Sequence, residues 1–217
     1  MALIISAQQQ RNNINFNQKG KYMNKNILII FFSIILALPC YSGSPENTPK
    51  VLLSTNMGEI LLELYPIKSP ETVKNFLFYV EKKYYDGLIF HRVIPRFMIQ
   101  GGGFNQDLTR MNPSEKSIKN ESRPPTLGGL KNEKYTVAMA RKPDPDSAQA
   151  QFFINVANNP SLDATTDKAG YTVFGKVVRG MNVADKISRL PTQRSAGMKD
   201  VPTATIKIIK ARIITDK

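Results

Sequence analysis

In the stretch FHRVIPRFMIQGGGF, from Phe90 to Phe104, the chain's one histidine, His91, stands next to Arg92 among apolar residues. Two chemistries are open to such a pair. An imidazole titrates near neutral pH and can move a proton. A guanidinium stays charged and offers donors in a fixed fork. Read as a strand, Phe90, Arg92 and Ile94 face one side and Ile89, His91 and Val93 the other. His91 and Arg92 are therefore not expected to act as a pair. No Gly-x-Ser-x-Gly elbow and no catalytic-cysteine pattern offers a nucleophile for His91 to activate. A satisfied structural histidine and a surface-paired arginine remain the plain alternatives, and residue type alone does not choose.

The elements that must position these residues are mostly short strands. VLLSTNMGEILLELY is two apolar runs around Asn56-Met57-Gly58, a hairpin pattern. SPETVKNFLFYVEKKYYDG predicts a helix, with Ser69 as N-cap, Pro70 at the first helical position and Asp86-Gly87 as the stop. Its Val73, Phe76, Leu77, Val80 and Tyr84 fall on one face and belong to a core. LIFHRVI, YTVAMA, AQFFINVA and YTVFGKVV read as strands, GMNVADKISRL as a second helix, and ATIKIIKARIIT as a closing strand. Many short strands with two separated helices predict a mainly β protein, a closed antiparallel barrel capped by two α-helices. No repeat and no internal boundary interrupts residues 50–217.

The chain has 217 residues, with 30 Lys and Arg against 17 Asp and Glu, a net charge of +13. Residues 1–42 carry Arg11, Lys19, Lys21 and Lys25 and no acid, then the apolar run NILIIFFSIILAL. That run is short for a hydrocarbon core of ~30 Å, and a basic flank followed by a short apolar core is the pattern of a secretory signal. Met23 is the better start of such a signal than Met1, and cleavage is expected near Ser42. Pro39 argues against lipidation of Cys40. The expected division is residues 1–42 as extension and signal peptide and 43–217 as one folded domain, periplasmic and without stable membrane insertion.

Loss of the four leader cations and of no acid brings +13 to +9 and removes the one cysteine. A cysteine-free domain folds in an oxidising compartment without mispairing. One histidine and no cysteine leave little for a transition-metal site, so no metal or cofactor is expected. The lysines and arginines are scattered, without an arginine-rich or basic–aromatic run, which argues against specific nucleic-acid binding.

Three segments, FHRVIPRFMIQGGGF, AMARKPDPDSAQAQFFINVA and YTVFGKVVRGMNVADKIS, together resemble the cyclophilin family of peptidyl-prolyl isomerases, in the form of the periplasmic cyclophilins of Gram-negative bacteria. The resemblance runs from about Lys50 to Ile214. It implies an eight-stranded antiparallel barrel with two helices, a groove for proline-containing segments of unfolded or partly folded exported proteins, and a monomer. It places the family's catalytic arginine on Arg92 and the aromatic pocket on Phe97 and Phe153. Met98 and Leu162 match pocket-lining positions, Gln100 and Gln151 polar groups that hold arginine or substrate. Ala140 and Arg141 match the strand edge along which the peptide lies, and Tyr171 stands at a further groove position, where many eukaryotic members have histidine. His91 matches a structural histidine. The implied chemistry needs no nucleophile: as an X–Pro bond twists, its nitrogen becomes a hydrogen-bond acceptor, and a guanidinium aimed there binds the transition state selectively.

The chain departs from the family pattern in places. Arg96 stands where glycine is usual, which is costly if that site needs positive φ. Ser161 replaces the tryptophan of cyclosporin-sensitive members, which puts tight cyclosporin binding in doubt. Arg141 stands where asparagine is common. A chaperone-like binder of proline-containing segments, with catalysis incidental, is the alternative to an enzyme.

Overall fold

The computed structural model describes residues 48–214. The expectations for the leader, Met23, Cys40 and cleavage near Ser42 fall outside those residues. Ten strands and two helices follow in order: β1 (Lys50–Thr55), β2 (Gly58–Leu64), α1 (Pro70–Glu81), β3 (Phe90–Ile94), β4 (Met98–Gly101), β5 (Thr136–Met139), β6 (Phe152–Asn155), β7 (Val173–Arg179), α2 (Met181–Ser188), β8 (Thr192–Ser195), β9 (Met198–Pro202) and β10 (Ile208–Ile214). Eight strands form one antiparallel sheet in the order β10-β1-β2-β7-β5-β6-β4-β3, and β8 with β9 makes a separate hairpin.

Strand alternation sorts the side chains. Val93, Ile99, Ile154, Val137, Met139 and Phe152 point into one core with Leu53, Ile60, Leu62 and Phe174. The helices close over the same core, α1 through Val73, Phe76 and Val80, α2 through Val183, Ala184 and Ile187. Phe76 has no exposed surface and lies 5.0 Å from Phe174 and 5.5 Å from Phe152, ring to ring. Truncating such a side chain to alanine costs about 3–5 kcal/mol.

The expected closed barrel is corrected. The sheet is an open, strongly curled half-barrel whose edges are β10 and β3. The two edges approach only over residues 87–90 and 206–208, through an Ile89–Lys207 bridge and bonds such as Phe90 N–H to the Ile206 carbonyl at 2.9 Å. No ladder extends from there. The backbone of Lys207 turns away to Asn56, whose Oδ1 accepts its N–H and whose N–H donates to its carbonyl.

Helix α1 also differs from expectation. It ends at Glu81, before the Asp86-Gly87 stop, because Lys83 takes φ 57 and breaks the helical path. Ser69 occupies the N-cap position, but its hydroxyl donates to the Val173 carbonyl at 2.8 Å. The open N–H groups at Glu71 and Thr72 are taken by the Glu121 carboxylate, 3.0 and 2.8 Å away. A carboxylate at a helix N-terminus satisfies orphan donors and the helix dipole together. That pairing ties a distant loop to the start of α1.

Candidate functional site

The site is a row of residues across the sheet. Arg92 on β3 pairs with Gln100 on β4, Gln100 with Phe153 on β6, Phe153 with Ala138 on β5, and Ala138 with Val173 on β7. All stand on the face turned away from the main core. One step along the strands, Ile94 pairs with Met98. The expected site residues therefore divide into two adjoining groups.

The first group is apolar. Met98 and Phe153 are buried with Ala138 and Val173, and Phe97, Leu162, Ala140 and Tyr171 pack around them half-buried. Phe153 and Tyr171 meet edge to face at 5.7 Å. Tyr171 is in turn covered by the Arg141 guanidinium, 4.6 Å from its ring centre. Arg141 is itself fastened by donating to the backbone carbonyls of Ala169, Gly170, Lys142 and Pro143. It shapes the patch and holds two loops together.

The second group is polar and lines a cleft of about 440 Å³ that takes in Arg92, Gln100, Ala140, Arg141 and Gln151. Gln100 Nε2 donates to Gln151 Oε1 at 3.0 Å, fixing both amides across the floor. Gly103 makes room for them, since a Cβ there would lie 2.3 Å from the Gln151 side chain. Gly102 has φ 79 and its Cβ would strike the Tyr85 ring, so this position requires glycine.

His91 corrects the strand reading. The ladder slips between Phe90 and Arg92. This bulge turns Phe90 into the core with Val93 instead of outward with Arg92. His91 then lines the same cleft as Arg92. Its ring stacks 4.5 Å from Phe104, and only 5% of its surface is exposed. Burial holds the imidazole pKa down to about 4, with the Arg92 charge adding to that and the Ile89 carbonyl opposing it. At neutral pH the ring is uncharged. A bulge is invisible to a period-two reading, and nothing in the apolar flank announces it.

Four residues that pattern reading missed support the site. Under the apolar patch, Asn159 Nδ2 donates to the Phe97 carbonyl at 2.8 Å and to Asn155 Oδ1 at 2.7 Å. Asn155 donates on to Asn132 Oδ1, and Asn132 bonds Asp163, beside Leu162. These three asparagines are buried. Scattered Asn residues in loop-like sequence look like turn formers, so only their convergence reveals them. The fourth is Asp200. The β8–β9 hairpin brings Met198, Lys199 and Asp200 to the cleft wall. There Arg92 Nε donates to Asp200 Oδ2 at 3.4 Å.

The arrangement sets a permanently charged donor beside an apolar patch, with a pair of bonded amides next to it. Among the described residues no cluster of three or more His, Cys, Asp or Glu side chains could hold a metal ion, and no helix is long and apolar enough to cross a membrane.

Comparison with known proteins bears on this geometry. The sequence profile of the family described as "Cyclophilin type peptidyl-prolyl cis-trans isomerase/CLD" matches residues 50–213. A peptidyl-prolyl cis-trans isomerase of Acinetobacter baylyi is 44% identical over 191 residues, 88% of this chain and 96% of the relative. Peptidyl-prolyl cis-trans isomerase A of Dickeya dadantii is 45% identical over 194 residues, 88% of this chain and 99% of the relative. Among solved structures, a Cryptosporidium parvum cyclophilin-type isomerase determined in the presence of the dipeptide Ala-Pro superposes with a TM-score of 0.63 at 26% identity. It covers 77% of this chain and 99% of its own.

Proposed function

The chain belongs to the cyclophilin-type peptidyl-prolyl cis-trans isomerases, and on that premise we propose that Arg92 is its catalytic residue and that it acts on proline-containing segments of exported proteins. The barrier it must lower is the ~18–20 kcal/mol of amide resonance. At X–Pro the two isomers are close in energy but exchange in tens to hundreds of seconds.

The observation that carries the reading is the row Arg92–Gln100–Phe153. The substrate's proline ring sits in the dish of Phe97, Met98, Phe153 and Leu162, next to Tyr171. The Gln100–Gln151 pair, Ala140 and Arg141 border the chain on either side. Arg92 then faces the prolyl nitrogen. In the planar ground state that nitrogen has no lone pair to offer; as the bond twists it pyramidalises and accepts from the guanidinium. Nε is engaged by Asp200, which leaves the terminal N–H groups for the substrate. A charge-assisted hydrogen bond of ~1.5–3 kcal/mol corresponds to roughly 10–100-fold in rate. Ring capture and water exclusion by the dish supply the remainder.

Support for the substrate class comes from the Cryptosporidium relative determined with Ala-Pro, the smallest peptide that holds the bond. Support for export comes from the basic flank and short apolar run before residue 43. We take the protein to be a periplasmic monomer. Cell fractionation with mass spectrometry of the N-terminus tests this, with a start near Gly43 expected and an intact leader on cytoplasmic protein overturning it.

The test of the catalytic assignment is protease-coupled isomerisation of an Ala-Pro peptide near 10 °C. Arg92→Ala and Arg92→Lys are compared with the parent. Arg92→Ala is expected to lose most of kcat/KM while keeping the parent's circular dichroism. Full activity in a folded Arg92→Ala protein would remove the arginine from the mechanism.

A further inference from the structure

The cleft beside the row carries an unbalanced charge. Its lining includes Arg92, Arg110, Arg141, Lys142 and Lys199 against one carboxylate, Asp200. Arg92 is matched by Asp200, and Arg141 is spent on backbone carbonyls and the Tyr171 ring. Arg110, Lys142 and Lys199 come from three separate segments: the loop after β4, the turn after β5, and β9. All three are exposed, and among the described residues none forms an ion pair. The acids nearest Lys142 in sequence, Asp144 and Asp146, accept the backbone N–H groups of Asp146 and Asn120.

The cleft floor is also unsatisfied. Tyr84 Oη, among the lining residues, is buried and makes no hydrogen bond within the chain. Buried polar atoms without partners are uncommon and point to a ligand or solvent that completes them. Burial pushes the Tyr84 hydroxyl up to about 12, so it remains a donor throughout the working pH range. A rim of cations over a floor with a hydroxyl donor matches an acceptor-only, anionic group. A side-chain carboxylate is that group.

We propose that this cleft is a subsite for acidic side chains, so that the enzyme acts preferentially on X–Pro segments carrying Asp or Glu within a few residues of the proline. The inference rests on the isomerase reading of the adjoining row. Gln100 and Ala140 border both the apolar dish and the cleft, so a segment whose proline fills the dish reaches the cleft within a few extended residues of ~3.3 Å each. Each cation alone is worth little at the surface. Three converging on a concave wall focus the field where one substrate side chain must pass.

The test compares kcat/KM of the full chain on peptides that differ only at one or two residues before proline, with Glu, Ala or Lys there. Glu peptides are expected to exceed Lys peptides about five- to ten-fold at low salt and to approach them in 0.5 M salt, beyond the reach of screened surface charge. Arg110→Gln, Lys142→Gln and Lys199→Gln combined bring the ratio near one, and Lys199→Gln alone lowers it in part. Removing three exposed cations away from the cleft, Lys74→Gln, Lys186→Gln and Arg189→Gln, leaves the ratio unchanged. Equal rates on Glu and Lys peptides, with the Ala peptide turned over, overturn the subsite and spare the isomerase. A ratio that survives the cleft triple, or collapses in the distant triple, assigns the preference to the net charge and overturns the subsite equally. No turnover of the Ala peptide overturns the isomerase reading, and the subsite with it.

Discussion

Asp200 Oδ2 lies 3.4 Å from Arg92 Nε, and Asp200 reaches it with φ 61, a left-handed backbone that few residues accept. Asp and Asn are among those that do. The pair is more than a third exposed on both sides, so its contribution to stability is small, ~0–1 kcal/mol. Its effect on the orientation of the guanidinium is the larger consequence. Asp200→Asn keeps the backbone preference and removes the charge. We expect kcat to fall about two- to five-fold with KM nearly constant, the equivalent of up to ~1 kcal/mol in the transition state. A KM rise at constant kcat would make Asp200 a substrate contact instead.

Arg96 holds φ 60 in the exposed turn between β3 and β4, next to Phe97. A left-handed conformation costs a residue with a Cβ about 1–2 kcal/mol; glycine removes that strain, and its larger entropy loss on folding offsets part of the gain. Arg96→Gly is therefore expected to stabilise the fold by about 0.5–1 kcal/mol, a Tm rise of about 1–4 °C in a domain of this size. Thermal unfolding by circular dichroism checks it. A lower Tm would mean that the arginine side chain makes a compensating interaction in solution.

What was legible in the sequence followed from periodicity and from linked motifs. The hairpin at Asn56-Met57, the buried Val73, Phe76 and Val80 of α1 and the strands around Phe153 and Val173 appear where alternation and helical spacing put them, whereas Tyr84, expected on the same face, lies beyond the end of the helix. In the structure Arg92 pairs with Gln100 across β3 and β4, and Phe97 packs against Phe153. Three features were not legible from local pattern. The bulge that turns His91 beside Arg92 leaves no mark in residue type. The seam between β3 and β10 is limited to an isolated bridge, Ile89–Lys207, between residues far apart in the chain. The β8–β9 hairpin turns on Ala196-Gly197, both with positive φ, where Asn-Gly would have announced such a turn.

The asparagine network offers a direct probe of how the dish is held. Asn159 is 6% exposed and bonds both the Phe97 carbonyl and Asn155. Asn159→Ala leaves those acceptors without that donor, which costs about 1–3 kcal/mol. Phe97 loses its anchor at the same time. Urea unfolding should show the loss of stability. KM for an Ala-Pro peptide should rise by more than kcat falls, because the dish binds the ring while Arg92 acts on the bond. A variant with lowered stability and an unchanged KM would show the network to be structural only.

His91 makes the stability of the fold depend on pH in a stated window. Its folded pKa of about 4 lies below the usual 6.5 because the buried ring resists charge. Between those values the unfolded chain binds the proton and the folded chain does not. Stability is thus full above about pH 6.5, declines as pH falls toward 4, and loses nothing further from this group below that. The whole decline amounts to ~3 kcal/mol at about 1.4 kcal/mol per pKa unit. Urea midpoints measured from pH 7.5 to 4 should show it, and His91→Gln should flatten that slope. Catalysis behaves differently: Arg92 remains charged and His91 neutral from pH 6 to 9, so kcat/KM is expected to be level there. A limb near pH 6.5 in the parent, absent in His91→Gln, would give the histidine a proton-transfer role that its buried, uncharged state argues against.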